Sequence, residues 1–304
     1  MKFPLSKYIW FDGKLVPVNM AKVPVTTHAI HYGTSIFEGI RAYWNSNLYV
    51  FRLKDHVKRF RNSGKFYNIK LNFSDRQIEN AVIDLCKKNK IKKSCYIRPF
   101  YFVGQYGINF HVTQKAPTHT AIFAFPFGDL FNKSGITATI SKWRKFSDMS
   151  TPTQAKMGGN YLNSILATQD AKQRGFDEAI LLDQSGNVSE APGENIFLVK
   201  NNMLVTPSLS SSALDGITRR SIITLAKDMK LKIKTQKVSK KELKMADEIF
   251  LSGTAAEITP VIKIDKKKIG EGKVGNITKL FMATYSDIVM NKNENYSHWL
   301  TMVY

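Results

Sequence analysis

At 304 residues, with 43% hydrophobic and 12% aromatic residues, the chain is long enough for two lobes and too apolar to be intrinsically disordered. Its formal net charge of +21 raises the question of nucleic-acid binding, in which Lys and Arg contact phosphates. The basic residues are scattered, without a basic helix, zinc-finger spacing or RNP-type motif, so we expect no nucleic-acid partner.

Short strands and helices alternate in the first third of the chain. Residues 54–63 have the periodicity of a helix, and Arg59 and Ser63 lie along the flank of its apolar stripe. Residues 74–77 form a capping-box pattern that opens a second helix. Residues 95–103 are typical of a strand, and their alternation places one set of side chains on a common face: Tyr96, Arg98, Phe100 and Phe102.

The second half of the chain predicts further helices and strands. A helix over residues 161–174 is expected to end at Gly175 and to bury Leu162, Ile165 and Leu166. A later helix begins at Gly216. We expect an α+β fold with mixed or antiparallel sheets and flanking helices, in two lobes: a small N-terminal α/β lobe (1–130), an interdomain loop (131–137) and a larger C-terminal lobe (138–304).

The sequence favours a cytoplasmic protein without a membrane segment. No run approaches the ~18 apolar residues that cross a bilayer, and the first residues lack the apolar region of a signal peptide. Cys86 and Cys95 are too few for a disulfide scaffold and lack C-x-x-C spacing. We expect both thiols to be packing residues in a reducing compartment.

Lys156 is the candidate nucleophile. It precedes the paired glycines Gly158 and Gly159 and an amphipathic stretch. A lysine held near ring and phosphate contacts can lose its proton and attack the carbonyl of an aldehyde cofactor. Taken alone, one lysine among 45 Lys and Arg residues is more often a solvated surface charge, so its neighbours decide the interpretation.

Three other segments supply partners for such a cofactor. Glu190, in a Pro/Gly corner, is suited to hold a proton on a pyridine nitrogen, although a lone glutamate is more often a solvated turn residue. The helix start at Gly216 exposes backbone amides that suit a phosphate. Residues 252–257 form a second small-residue turn that could cradle a phosphate or carboxylate. Arg59 could complete the phosphate site.

Six segments together are far more specific than any one of them. They are residues 33–41 (GTSIFEGIR), 96–99 (YIRP), 155–161, 189–195, 211–219 and 253–260 (GTAAEITP). In this order they resemble the branched-chain amino acid aminotransferases, which are fold-type IV, D-amino acid aminotransferase-like enzymes dependent on pyridoxal phosphate. The resemblance runs from about Tyr8 to near the C-terminus.

The resemblance implies a role for each matching residue toward pyridoxal 5′-phosphate. Lys156 carries the cofactor covalently, Glu190 pairs with the pyridine nitrogen and Tyr161 with the ring phenolate oxygen. Leu214 packs on the ring. The phosphate is bound by Arg59, Ile217, Thr218 and Thr254.

The same resemblance implies that the enzyme transfers the amino group between L-leucine, L-isoleucine or L-valine and 2-oxoglutarate. Tyr96 and the amides of Thr254 and Ala255 hold the substrate α-carboxylate, and Arg98 accepts the side-chain carboxylate of glutamate. The aliphatic pocket is lined by Tyr32, Phe37, Gly39 and Phe127. The family also implies a homodimer or homohexamer, with Tyr32 near a subunit interface.

Two departures from the family pattern affect substrate preference. Many bacterial relatives have Trp at the position of Phe127 and Tyr at that of Leu130, so we expect these two residues to affect the branched-chain preference and the balance with glutamate. The alternatives of the same fold are a D-amino acid aminotransferase and an aminodeoxychorismate lyase. Residues 96–99 and the intact turn at 253–257 favour the L-branched-chain interpretation.

Other motifs are expected to carry no chemistry. Residues 270–275 fit the G-x-G-x-x-G fingerprint, but too little chain follows for a dinucleotide-binding βαβ unit. His28 and His31 have no further ligands nearby, so we expect a packing role and no metal. A basic binding protein without catalysis is the remaining alternative.

Overall fold

A computed structural model describes residues 6–304. The α-helices are α1 (His28–Tyr32), α2 (Leu53–Lys65), α3 (Asp75–Lys88), α4 (Tyr161–Gln173), α5 (Ile217–Asp228), α6 (Lys240–Lys244) and α7 (Asn276–Val289). The strands are β1 (Tyr8–Phe11), β2 (Lys14–Pro17), β3 (Ser35–Phe37), β4 (Ile40–Asn45), β5 (Asn47–Phe51), β6 (Cys95–Val103), β7 (Thr118–Pro126), β8 (Ile136–Arg144), β9 (Glu178–Leu182), β10 (Asn195–Lys200), β11 (Met203–Pro207), β12 (Ile233–Gln236), β13 (Glu248–Gly253), β14 (Glu257–Ile264), β15 (Lys267–Lys268) and β16 (Leu300–Met302). None of the helices in this range has the length and apolar character of a membrane span.

The first of two compact units combines the chain up to Gly128 with Ala155–Gly159 and Asp287–Tyr304. Its antiparallel sheet has the strand order β16-β5-β4-β6-β7-β1-β2, and β3 also pairs with β6. β6 and β7 pair along their whole length. Because side chains alternate along β6, Ile97 and Tyr101 enter the hydrophobic core while Tyr96 and Arg98 lie on the opposite face.

The second unit contains Asp129–Gln154 and Asn160–Ser286. Its mixed sheet has the order β12-β11-β10-β13-β14-β8-β9, with β15 paired to β14. The β11–β12, β14–β8 and β8–β9 pairs are parallel, whereas β10 pairs antiparallel with β11 and β13. Mixed and antiparallel sheets with flanking helices confirm the predicted α+β class.

The local signals in the first unit predicted its elements well. Ser74 caps α3 with a complete capping box, accepting from the Gln77 backbone N–H while the Gln77 side chain accepts from the Ser74 N–H. α2 buries Val57 and Phe60 as its apolar stripe predicts. β6 occupies the predicted residues 95–103.

The predicted burial of α4 was wrong. Leu162, Ile165 and Leu166 are 65%, 52% and 40% exposed. The buried face instead carries Ala167 and Ala171, which pack with Ala179 and Leu181 of β9. Small side chains let the helix approach the sheet closely, so the large apolar residues point away from it. The apolar spacing predicted a helix correctly, but it did not indicate which side faces the sheet.

The two histidines singled out in the sequence differ in burial. His28 is buried, with Nδ1 2.9 Å from Thr34 Oγ1 and Nε2 3.1 Å from the Asn109 carbonyl oxygen. His31 Nε2 lies 3.1 Å from the Val25 carbonyl oxygen. Within residues 6–304, no group of three or more His, Cys, Asp or Glu side chains is arranged to hold a metal ion.

Glu178, at the start of β9, is expected to make stability depend on pH. Burial raises its pKa from 4.5 to about 7, although the Ala179 N–H, 2.7 Å from Oε1, favours the ionised form. Because the folded-state pKa exceeds the unfolded one, ionisation destabilises the fold progressively as pH rises from 4.5 to about 7. We expect Glu178→Gln to raise the free energy of unfolding by about 3 kcal/mol at about pH 8 and to have little effect near pH 4.5. Denaturant titrations at both pH values measure the difference; an equal effect at both would contradict the raised pKa.

Candidate active site

Lys156 is fixed by its backbone within the first unit. Its N–H donates to Ser63 Oγ of α2 at 3.0 Å, and its carbonyl accepts from the Phe37 N–H of β3 at 3.1 Å. The next residue, Met157, forms an antiparallel bridge with Ile36. The Lys156 Nζ lies 4.8 Å from the centre of the Phe37 ring. The segment 155–159 is therefore held against α2 and β3, which fixes the origin of the lysine side chain.

A buried ionic network orients Arg59. Glu38 is fully buried; its Oε1 accepts from Arg59 Nε at 2.6 Å and its Oε2 from Arg59 Nη2 at 2.8 Å. His56 Nδ1 lies 2.7 Å from the same Oε2. Burial opposes ionisation of Glu38, but the charge and hydrogen bonds of Arg59, together with the hydrogen bond from His56, hold its pKa well below its usual range. This two-point pairing fixes the plane of the guanidinium of Arg59.

His56 acts in this network as a neutral donor. Burial lowers its pKa below the ordinary 6.5, and the charges of Arg59 and Lys156 act in the same direction, against the attraction of Glu38. At pH 7 the ring is therefore neutral, and its Nδ1–H donates to Glu38.

Aromatic side chains surround Arg98 and Tyr96 on their face of β6. Arg98 Nη2 donates to the Tyr96 hydroxyl at 3.1 Å, and the guanidinium carbon lies 4.8 Å from the centre of the Phe37 ring. The Tyr96 and Phe127 ring centres are 5.4 Å apart. Among residues 6–304, the buried Arg98 Nε has no hydrogen-bond partner. The group thus combines an apolar wall with one cation that has donor capacity left.

Gly39 makes room for the Tyr96 hydroxyl. A Cβ at residue 39 would lie 1.8 Å from that hydroxyl oxygen and 2.7 Å from the Tyr96 Cζ, so the ring would have to move. We expect Gly39→Ala to lower kcat/KM for the amino acid substrate about 100-fold, because small misplacements of binding groups have effects of that size.

Gly128→Ala is the matched control, since a Cβ there meets nothing within 4 Å. Steady-state kinetics on both folded variants make the comparison. Wild-type kcat/KM in Gly39→Ala would contradict the positioning of Tyr96 by this glycine.

In the second unit, Glu190 is buried and surrounded by donors. Its Oε2 accepts from the Leu214 N–H at 2.9 Å and from Asn195 Nδ2 at 3.1 Å. Its Oε1 lies 2.7 Å from Lys145 Nζ. A carboxylate has about four lone-pair sites, so these three contacts leave capacity for one further donor.

The N-terminus of α5 provides backbone donors next to Glu190 in the structure. Gly216 is the N-cap and has no side-chain cap, so the first amides of the helix are not satisfied by a capping side chain. A Cβ at residue 216 would lie 2.1 Å from Asn195 Oδ1, which explains why glycine stands there. Ile217 and Thr218, in the first turn, are buried. A helix start whose first amides lack a capping side chain suits a phosphate.

The remaining predicted residues have more varied surroundings. Thr254 and Ala255 lie in the partly buried turn that closes the β13–β14 hairpin, and Tyr161 opens α4. Tyr32 is 37% exposed and contacts His28 and Phe110, with ring centres 4.6 and 5.1 Å away. Six of the predicted residues are thus connected by direct contacts in the first unit: Lys156, Phe37, Gly39, Tyr96, Arg98 and Phe127. Tyr32 lies outside this group and contacts a different set of aromatic rings.

Sequence reasoning assigned no role to several residues of these networks. Glu38 and Asn195 lie inside recognised segments, but nothing in those segments indicates what their side chains contact. His56 could have been found from its three-residue spacing to Arg59 on α2. Lys145 carries no distinguishing signal, because it is one of many scattered lysines.

The comparison with known families defines the class of protein. The family described as amino-transferase class IV matches residues 35–264, a range that includes Lys156, the Arg59 network and the Glu190 group. This match and the two-sheet α+β fold define a class IV aminotransferase, a class that uses pyridoxal phosphate.

Individual relatives narrow the class further. The chain is 42% identical over 303 residues to the branched-chain-amino-acid aminotransferase of Escherichia coli (strain K12), covering 98% of both chains. It superposes with a TM-score of 0.95 on the branched-chain aminotransferase of Thermoproteus uzoniensis solved with norvaline, at 41% identity and with 98% and 100% of the two chains covered. For the branched-chain amino acid aminotransferase of Thermobaculum terrenum, solved in its PLP-form, the TM-score is 0.93 at 33% identity, with 99% of each chain covered. The chain belongs to the branched-chain amino acid aminotransferase family, which confirms the resemblance found in the sequence.

Proposed function

We propose that this enzyme transfers the amino group of L-leucine, L-isoleucine or L-valine to 2-oxoglutarate. The observation that carries the substrate assignment is the group on β6, in which Arg98 lies beside the rings of Phe37 and Tyr96. The aromatic surface suits an aliphatic side chain, and the guanidinium suits the distal carboxylate of glutamate. One pocket of this composition accepts both substrates in turn.

The residues fit pyridoxal phosphate by their chemistry. In the first unit, Lys156 supplies an amine on a fixed backbone and Arg59 supplies a guanidinium of fixed orientation. In the second unit, the uncapped start of α5 supplies backbone donors of the kind that bind a phosphate. Glu190 retains capacity to accept one more hydrogen bond, as a protonated ring nitrogen would provide. We assign Tyr161 to the ring phenolate oxygen, Leu214 to the ring face, and the phosphate to Arg59, Ile217, Thr218 and Thr254.

Each catalytic group then has a defined task. When bound, pyridoxal phosphate supplies a protonated heterocycle that withdraws electrons from the substrate α-carbon. Lys156 Nζ, as a neutral amine, would move the α-proton of the amino acid to the cofactor carbon that holds the substrate nitrogen. In the opposite half-reaction it would move a proton from that carbon to the α-carbon that receives the amino group. The Glu190 carboxylate holds the proton on the ring nitrogen throughout.

Residues other than Lys156 and Glu190 orient the substrate. The Tyr96 hydroxyl and the amides of Thr254 and Ala255 bind the α-carboxylate, which directs the α-proton toward Lys156. Phe37, Gly39 and Phe127 form the aliphatic part of the pocket, with Tyr32 contributing at a subunit interface. Phe127 and Leu130, which differ from many bacterial relatives, are expected to set the balance between branched side chains and glutamate.

A substrate panel tests the proposed activity. We expect purified enzyme to form glutamate from 2-oxoglutarate with L-leucine, L-isoleucine and L-valine, with kcat/KM at least about 100-fold above that for D-alanine. Aminodeoxychorismate should yield no product. Preference for D-alanine, or lyase activity on the chorismate derivative, would replace the proposed function with one of the alternatives of the same fold.

We also propose a homo-oligomer, either a dimer or a hexamer. Support comes from the apolar residues that a single chain leaves exposed: Leu162 and Ile165 on α4, and Ile108 and Phe110 near Tyr32, the latter two 83% and 81% exposed. Sedimentation of a monomer at micromolar concentration would contradict the proposed homo-oligomer.

The two free, buried cysteines, Cys86 and Cys95, support a reducing cytoplasmic location. Small-molecule substrates are the only partners we propose besides a second copy of the chain.

A further inference from the structure

Lys145 makes a close ionic contact that the proposed chemistry does not yet use. Its Nζ lies 2.7 Å from Glu190 Oε1, and the side chains are only 14% and 6% exposed. An ion pair with so little exposure is weakly screened by solvent, so the charge of one member strongly affects the other. The ion pair with Lys145 differs from the contacts of Glu190 with Asn195 and Leu214, in which the donors are neutral amides.

The backbone holds Lys145 in place for this contact. The residue follows directly after β8; its N–H donates to the Leu182 carbonyl at 2.8 Å, and its own carbonyl accepts from Gln184 Nε2 at 2.7 Å. Glu190 is anchored to the same strand, since the Leu181 N–H donates to its carbonyl at 2.8 Å. Both ends of the ion pair are thus attached to the region of β9.

Arg219 is a second cation whose charge interacts with this carboxylate. Burial lowers the pKa of Arg219, while the charge and hydrogen bond of Asp215, and then the charge of Glu190, raise it. Its guanidinium, however, is hydrogen-bonded elsewhere, to Asp215 Oδ1 at 3.3 Å and to the Pro207 carbonyl at 3.2 Å. Of these two cations, Lys145 is therefore the one that contacts Glu190 directly.

A cation at this position fixes one side of the carboxylate. The Lys145 ammonium lies 2.7 Å from Oε1, so a rotation of the carboxylate away from its observed orientation would lose the ion pair. Lys145 contacts Oε1, and two amide donors contact Oε2. These contacts restrict rotation of the carboxylate and fix the direction of its remaining lone pair.

We propose that Lys145 is a positioning residue that orients Glu190, and so keeps the carboxylate directed at the protonated pyridine nitrogen of the cofactor. The proposal rests on the role proposed above for Glu190. Lys145 itself does not touch the substrate or the reacting atoms; it acts through the glutamate.

The test compares Lys145→Met with Lys145→Arg, in holoenzyme reconstituted with pyridoxal phosphate labelled with ¹⁵N in its ring. Methionine keeps the length and apolar stem of lysine without the charge, whereas arginine keeps the charge. In Lys145→Met we expect the ¹⁵N chemical shift to move toward that of the unprotonated ring, and kcat to fall about 10- to 100-fold, the usual effect of removing a residue that orients a site carboxylate. KM should change less than about threefold. Lys145→Arg should retain the wild-type shift and kcat within about threefold.

Glu190→Gln, measured in the same way, separates this proposal from the one on which it rests. If Glu190→Gln moves the ¹⁵N shift and Lys145→Met does not, the role of Lys145 is refuted while that of Glu190 stands. If neither variant moves the shift, the role proposed for Glu190 is itself refuted. Should Lys145→Met not fold, as judged by circular dichroism, Lys145→Gln serves as the neutral variant with the same expected results.

Discussion

Replacing Lys156 by alanine is expected to reduce kcat by at least about 10⁴-fold, the largest effect of any substitution considered. The variant loses both the amine that holds the cofactor and the base that moves the α-proton. The backbone contacts of the segment, with Ser63 and Phe37, involve main-chain atoms of residue 156 and should persist. The fold and the bound phosphate should therefore survive, so the loss should appear in kcat and in the visible absorbance of the bound cofactor.

Lys142→Ala is the control for this substitution. The Lys142 side chain is 68% exposed, and its Nζ lies 3.9 Å from Asp170 Oδ1. An exposed ion pair at this distance contributes little to stability. Lys142→Ala should keep the wild-type kcat and the visible absorbance of the bound cofactor. Turnover within about tenfold of wild type in Lys156→Ala would exclude Lys156 as the catalytic amine.

Glu190→Gln is expected to lower kcat about 100- to 1,000-fold, the size of effect seen when one preorganised charge-stabilising group is removed. An amide is nearly the same size but carries no charge, so it does not hold a proton on the ring nitrogen. The electron-withdrawing power of the ring then falls, and removal of the α-proton becomes slower. The substitution also leaves the Lys145 ammonium, 2.7 Å away, without its counter-ion.

The rate-limiting step distinguishes this explanation from general damage to the site. With α-deuterated L-leucine, the primary isotope effect on kcat should be larger in Glu190→Gln than in the wild type, while the cofactor remains bound. Glu178→Gln is the matched control, since it is the same change at another buried glutamate of the second unit. An unchanged kcat in Glu190→Gln would refute its assignment to the ring nitrogen.

The cofactor chemistry could be predicted from sequence because it depends on residues in short segments. The run at 155–161 and the turns at 189–195 and 253–260 each specify a local backbone conformation, and they were recognisable without knowledge of tertiary contacts. The capping box of α3 and the alternation of β6 were predictable for the same reason, since both depend on neighbours a few residues away.

Features that depend on distant contacts could not be predicted in this way. The α4 helix has Leu162, Ile165 and Leu166 at helical spacing, but the small residues Ala167 and Ala171 determined which side packs on β9. The Glu38–Arg59 pair joins residues 21 apart, and the Lys145–Glu190 pair joins residues on separate loops. The sequence indicated Arg59 and Glu190, but charged residues are common along this chain, and only their tertiary contacts distinguish Glu38 and Lys145 from solvated surface charges.

The identity of the residue bound to the cofactor is the most direct test of the proposed site. Borohydride reduction of the holoenzyme, followed by proteolysis and mass spectrometry, reports which lysine carries the phosphopyridoxyl group. We predict that the added mass lies on the peptide containing Lys156 and on no other. A phosphopyridoxyl group on a different lysine, or none after reduction, would contradict the account.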